Sequence, residues 1–162
     1  MDPNKVKTAV WTGAIGGVAT IVGVALPWLV ENSQDPRMSV NGLLAGPYVL
    51  IFGVVMAAAS AFFLTDTDPR KVVAILGPSS LAVLAYVVPI AINKEAGLFG
   101  GISESPTTER GIGLYITIVG GVLGLVATAI AAKELMAPAS TGSDPQPAFD
   151  LGEVTDQRDQ QD

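Results

Sequence analysis

Long apolar blocks alternate with short polar stretches along the chain, and there are four of them, at 8–30, 42–65, 72–92 and 111–132. None contains Asp, Glu, Lys or Arg. Apolar and small residues occupy every side of each block, instead of recurring with the period of a helix that keeps one wet face. At about 1.5 Å per helical residue, each block is long enough to cross a hydrocarbon core about 30 Å thick. The pattern predicts an all-α fold: a four-helix transmembrane bundle over 1–136, followed by a disordered acidic C-terminal tail over 137–162.

Capping signals point to the helix starts. Asp2-Pro3, Asp68-Pro69 and Ser105-Pro106 each place a side-chain acceptor before a proline, the order that suits an N-cap and first helical position. Ser39 or Asn41 is the candidate cap for the second block. Trp11 and Trp28 lie near the two ends of the first block, and indole rings favour the headgroup level. With Lys5 and Lys7 ahead of it, this block reads as an uncleaved signal anchor.

Short connections make neighbouring helices antiparallel, most firmly across 66–71. Basic residues then divide unequally. Lys5, Lys7, Arg70, Lys71 and Lys133 fall on one side, and Arg37, Lys94 and Arg110 on the other. The richer side is expected to face the cytoplasm or a virion interior, with both termini there.

Composition narrows the chemistry. Of 162 residues 49% are hydrophobic and 15% charged, with no cysteine and no histidine. Disulfides, thiolate metal sites and imidazole proton transfer are thereby removed. The net charge of -6 comes mainly from the tail, where six acidic residues from Asp144 to Asp162 accompany only Arg158. Such a segment reads as solvated, with adaptation to salt as one cause. Pumps and ion-coupled carriers usually keep ionisable groups within the membrane, so blocks without them argue against a pump working alone. Loop carboxylates such as Glu31, Asp35, Glu95, Glu104 and Glu109 show no diagnostic spacing. No catalytic, cofactor or metal set emerges, and no direct nucleic-acid binding is expected.

Three constellations remain. Gly13 and Gly17, Gly53 and Ala57, and Gly120 and Gly124 have the four-residue spacing that lets helix backbones approach closely. They suit packing within one bundle, or a homo-oligomer interface. Gly77 and Pro78, followed by Ser79 and Ser80, mark either a kink whose freed carbonyl takes a serine hydroxyl or an unwound segment lining a cavity. Phe149, Leu151 and Val154 interrupt the polar tail, either by chance or as a short docking motif for a protein partner. Leu98, Phe99 and Ile102 form a small apolar patch in the last loop.

Leu26-Pro27-Trp28 closing the first block, a turn-rich loop ending in Asn41-Gly42, and three further blocks before an acidic tail resemble small four-span proteins of haloarchaea. The plan is also similar to that of small membrane proteins in haloarchaeal pleomorphic virus envelopes. It is similar too to the claudin-like layout, but lacks that family's cysteine pair. The resemblance implies a non-enzymatic structural or organising role in a cell or virion envelope, with membrane lipid as its surroundings. An accessory subunit of a membrane transporter or enzyme complex is the alternative, and a pore built on the third helix is a further one.

Overall fold

A computed structural model describes residues 3–31, 38–65, 68–92 and 108–137. In chain order the elements are α1 (Pro3–Ala25), β1 (Pro27–Glu31), β2 (Met38–Asn41), α2 (Gly42–Ala45), α3 (Pro47–Phe63), α4 (Pro69–Ile92), β3 (Thr108–Arg110) and α5 (Ile112–Met136). The protein is mostly helical. Three helices, α1, α4 and α5, are long and apolar enough to cross a membrane, whereas α3, at 17 residues, is shorter.

α1 packs against α3 and α5, and α4 packs against the same two. The helices therefore stand around a ring in chain order. Every neighbouring pair is antiparallel. Gly13 lies beside Ala127 and Gly23 beside Thr117; Gly17 meets Ala57; Ser80 meets Met56 and Tyr86 meets Ala45; Gly77 meets Thr128 and Gly121 meets Leu84. The start of α1 and the end of α5 consequently share one end of the bundle, where Lys5 Nζ lies 3.2 Å from a Glu134 carboxylate oxygen.

A three-stranded antiparallel sheet, ordered β2-β1-β3, closes the opposite end. It corrects the all-helical expectation, and its cause is local. The helix of the first block stops at Ala25 instead of reaching residue 30, because Pro27 has no N–H to give the carbonyl of Gly23 four residues back. The Gly23 carbonyl accepts instead from the Leu26 N–H at 3.3 Å and from the Trp28 indole Nε1–H at 3.0 Å. Trp28 is fully buried, so its ring packs inside the protein and is not presented to headgroups as its position in the block suggested. Its ring lies against Gly42, where any side chain would collide with it. The Gly111 N–H donates to the Trp28 carbonyl at 2.6 Å, continuing the β1–β3 pairing.

The second block is also divided. Asn41 caps α2 by accepting from the Leu44 N–H at 3.2 Å, and the chain breaks at Gly46 before Pro47 opens α3. Tyr86 of α4 occupies the space beside Gly46 and donates its hydroxyl to the Ala45 carbonyl. Asp68 caps α4 as its sequence predicts, accepting from the Arg70 N–H at 3.0 Å. Ser105-Pro106 does not start the last helix: β3 intervenes, and α5 begins at Ile112 after Gly111. Asp2, the Leu98, Phe99 and Ile102 patch, and the tail with Phe149, Leu151 and Val154 lie outside the described residues.

Candidate functional site

The helix contacts are made by small residues that bring backbone against backbone. A Cβ on Gly16 would come within 2.7 Å of the Gly120 carbonyl oxygen, and one on Gly17 within 2.6 Å of the Ala57 nitrogen. Neighbouring residues on a helix point about 100° apart, so the doublet Gly16-Gly17 serves two partners, α5 and α3. Gly120-Gly121 does the same, Gly120 facing α1 and Gly121 facing Val83 and Leu84 of α4. Gly13 and Gly124 point toward the middle of the ring, against Leu76 and Ser60 and against Met56 and Ser80. Gly53 lies on Thr20. All six small residues singled out by spacing thus face helices of the same chain.

Between these contacts Val10, Val24, Met56, Leu76, Val83 and Leu114 fill the interior, each buried. Most interior hydroxyls bond within their own helix. Thr20 donates to the Gly16 carbonyl at 2.9 Å, Ser80 to Leu76 at 2.6 Å and Thr117 to Gly113 at 2.8 Å. Ser60, fully buried on α3, has an Oγ without a hydrogen-bond partner among the described residues; it faces Gly13.

α4 is helical throughout Pro69–Ile92, Pro78 and Pro89 included. The unwound segment considered for Gly77 and Pro78 is therefore not found. The carbonyl that Pro78 would leave free belongs to Ala74, whereas Ser79 and Ser80 donate to Ile75 and Leu76. Gly77 serves to admit Thr128 of α5, whose Cγ2 would stand 3.2 Å from a Cβ there.

The outside of the bundle is a girdle of large apolar side chains. Trp11, Ile15, Val18 and Val22 of α1, Tyr48, Ile51, Val55 and Phe62 of α3, Leu81 of α4, and Tyr115, Val119, Val122 and Val126 of α5 are all exposed. An apolar surface this extensive on every helix is foreign to a water-soluble monomer and suits a hydrocarbon solvent.

The two ends differ in charge. Lys5, Lys7, Arg70, Lys71 and Lys133 are exposed at the end that carries the termini. At the sheet end the one described basic residue is Arg110, whose guanidinium reaches the Ile92 carbonyl at the end of α4 at 3.4 Å. Glu134 is buried beside Lys5, its side chain 6% exposed. Sequence reasoning passed over Glu134, which sits just beyond the last apolar block, and also Gly16, Gly23, Gly113 and Gly121. The glycine doublets were the available signal, since a helix with two neighbours needs small residues on two adjacent faces. Comparison with protein-family models, with curated proteins and with solved structures finds no match.

Proposed function

We propose that the chain is a four-span integral membrane protein with both termini in the cytoplasm or a virion interior, and that its role is structural or organising rather than enzymatic. The observation that carries this reading is the distribution of bulk: small residues close the seams between helices, while large apolar side chains cover the exterior of α1, α3, α4 and α5. Such a body offers lipid-compatible packing surfaces and a rigid antiparallel frame. α3 is short, but α1 and α4 run in one direction and α5 in the other. If α1 and α4 cross the bilayer, the intervening chain must return through it, and α3 is the element that makes the passage. At about 1.5 Å per residue its 17 residues cover roughly 25 Å, and α2, with Leu43 and Leu44 exposed, extends the apolar surface at the sheet end.

The excess of exposed Lys and Arg at the end bearing the termini supports the orientation. Single cysteines at Asn4, Gln34, Thr67, Ser103 and Ser143, labelled in intact cells or particles with an impermeant thiol reagent, test it against a background without cysteine. Labelling only at Gln34 and Ser103 is expected. Labelling at Ser143 with protection at Gln34 would invert the protein. For the role itself, purification from native membranes should yield an abundant species without a stoichiometric enzyme or transporter. Recovery of such a partner in constant ratio would replace this reading with that of an accessory subunit.

A further inference from the structure

We infer that Lys7, Arg70 and Lys133 form an arc that binds the headgroups of anionic phospholipids at the end of the bundle carrying the termini. The inference rests on the membrane reading above and adds a lipid class to it. Three observations converge.

The first is position. Lys7 stands one turn from Trp11 and two from Ile15, both exposed, so it heads the outward stripe of α1. Lys133 stands in the same relation to exposed Ala129 and Val126 on α5, and Arg70 to exposed Ala74 and Pro78 on α4. Residues four apart share a helix face. Each cation therefore surmounts an apolar stripe instead of facing the interior, which puts it at headgroup height beside the lipid. Long basic side chains on apolar surface extend their charge to that level.

The second is adjacency. α5 lies between α1 and α4 in the ring. The Lys5–Glu134 pair ties the start of α1 to the end of α5, so Lys7 and Lys133 stand at neighbouring heights. The antiparallel match of Gly77 with Thr128 sets Arg70, two turns before Gly77, near the height of Lys133. The three cations consequently occupy one arc of the circumference. The α3 end beside them finishes in Phe63, Leu64 and Thr65, without charge.

The third is the use already made of the described acids at this end. Glu134 turns inward to Lys5, and Asp68 accepts from the Arg70 backbone N–H as the cap of α4. Phosphodiester headgroups bearing net negative charge supply the complement, and juxtamembrane basic residues draw anionic lipid by such attraction.

The test uses the full chain in vesicles of phosphatidylcholine containing a minor fraction of phosphatidylglycerol in both leaflets. Spin-labelled phosphatidylglycerol and phosphatidylcholine report the lipid held at the protein surface. The wild type should favour the anionic label about two- to fivefold at low salt, with the preference shrinking as ionic strength rises. The triple variant Lys7→Gln, Arg70→Gln, Lys133→Gln should bring the ratio close to one. A Lys7→Arg, Arg70→Lys, Lys133→Arg variant should retain it, with circular dichroism checking that each variant is folded. Equal retention of both labels by the wild type, or an unchanged preference in the glutamine variant, overturns the inference. A preference that emerges only when the acidic positions of 144–162 are neutralised in the full chain also overturns it, assigning the arc to that segment. Because the anionic lipid is in both leaflets, the ratio does not depend on insertion direction. Cysteine labelling at Gln34 and Ser143 in the same vesicles thus reports a failed topology separately from a failed lipid preference.

Discussion

The inner face of α5 presents Gly113, Gly120, Gly121 and Gly124 to its neighbours, whereas its outer face carries Tyr115, Val119, Val122 and Val126. A water-soluble bundle would turn the valines inward and leave the outer face polar. Here both faces are apolar, and what separates them is size. In hydrocarbon, moving a valine from lipid to protein gains little from the hydrophobic effect, so helices associate through close packing, for which small residues are better suited. The same division holds on α1, with Gly16, Gly17 and Gly23 inside and Trp11, Ile15, Val18 and Val22 outside.

Trp28 is the largest of the fully buried side chains, and removing it should have the greatest effect. It is fully buried, rests on Gly42 and donates its indole N–H to the Gly23 carbonyl. Trp28→Ala should cost about 3–5 kcal/mol, read by equilibrium unfolding in mixed micelles, and should loosen the sheet end first in hydrogen exchange. Gly120→Leu attacks the division by size directly. Its Cβ would meet the Gly16 carbonyl oxygen and the Thr20 nitrogen at 2.7 Å, and backbone cannot rotate aside. A loss of about 3 kcal/mol, at the upper end for overpacking, is expected. A stable Gly120→Leu protein would show that the α1–α5 seam does not hold the bundle.

Smaller changes sharpen the comparison. Ser60→Ala removes a buried hydroxyl that has no partner among the described residues, so stability should stay level or rise by up to about 1 kcal/mol. Lys5→Ala should cost under about 1 kcal/mol, since the lysine side chain is 61% exposed although Glu134 is buried. Val122→Ala, on the outer face, should fall within about 0.5 kcal/mol of wild type. A Val122→Ala cost approaching that of Gly120→Leu would point to a protein neighbour on that face, and sedimentation in detergent would then reveal the assembly.

Much of the bundle could be read from residue types alone. Blocks without charge announce the membrane-capable helices because an unpaired ion in hydrocarbon is expensive. Asp68-Pro69 located the start of α4 because an N-cap acts through atoms two residues away. Gly13, Gly17, Gly53, Ala57, Gly120 and Gly124 were legible as packing positions, but which helix each one meets was not. That choice depends on the ring order, which no spacing within one helix encodes.

The sheet was illegible for a related reason. β1 is the tail of an apolar block, and its partners lie in β2 and β3, the latter starting at Thr108, 77 residues beyond the end of β1 at Glu31. Pro27 carried a local warning that the helix stops, yet only the assembled end of the bundle shows why the chain can afford to stop there: the Trp28 indole also donates to the Gly23 carbonyl, and Gly111 and Gly42 leave room for it.

What the sequence by itself determined, then, is the apolar length of each block, the uncharged character of the segments, and the positions where backbones are able to come close. These are local properties, set by desolvation cost and side-chain volume. Tertiary structure alone decided the neighbours of each glycine, the burial of Trp28, the inward turn of Glu134 and the pairing of three distant strands. Each of these depends on two or more elements meeting, and their contact distances are settled only once the whole ring has closed.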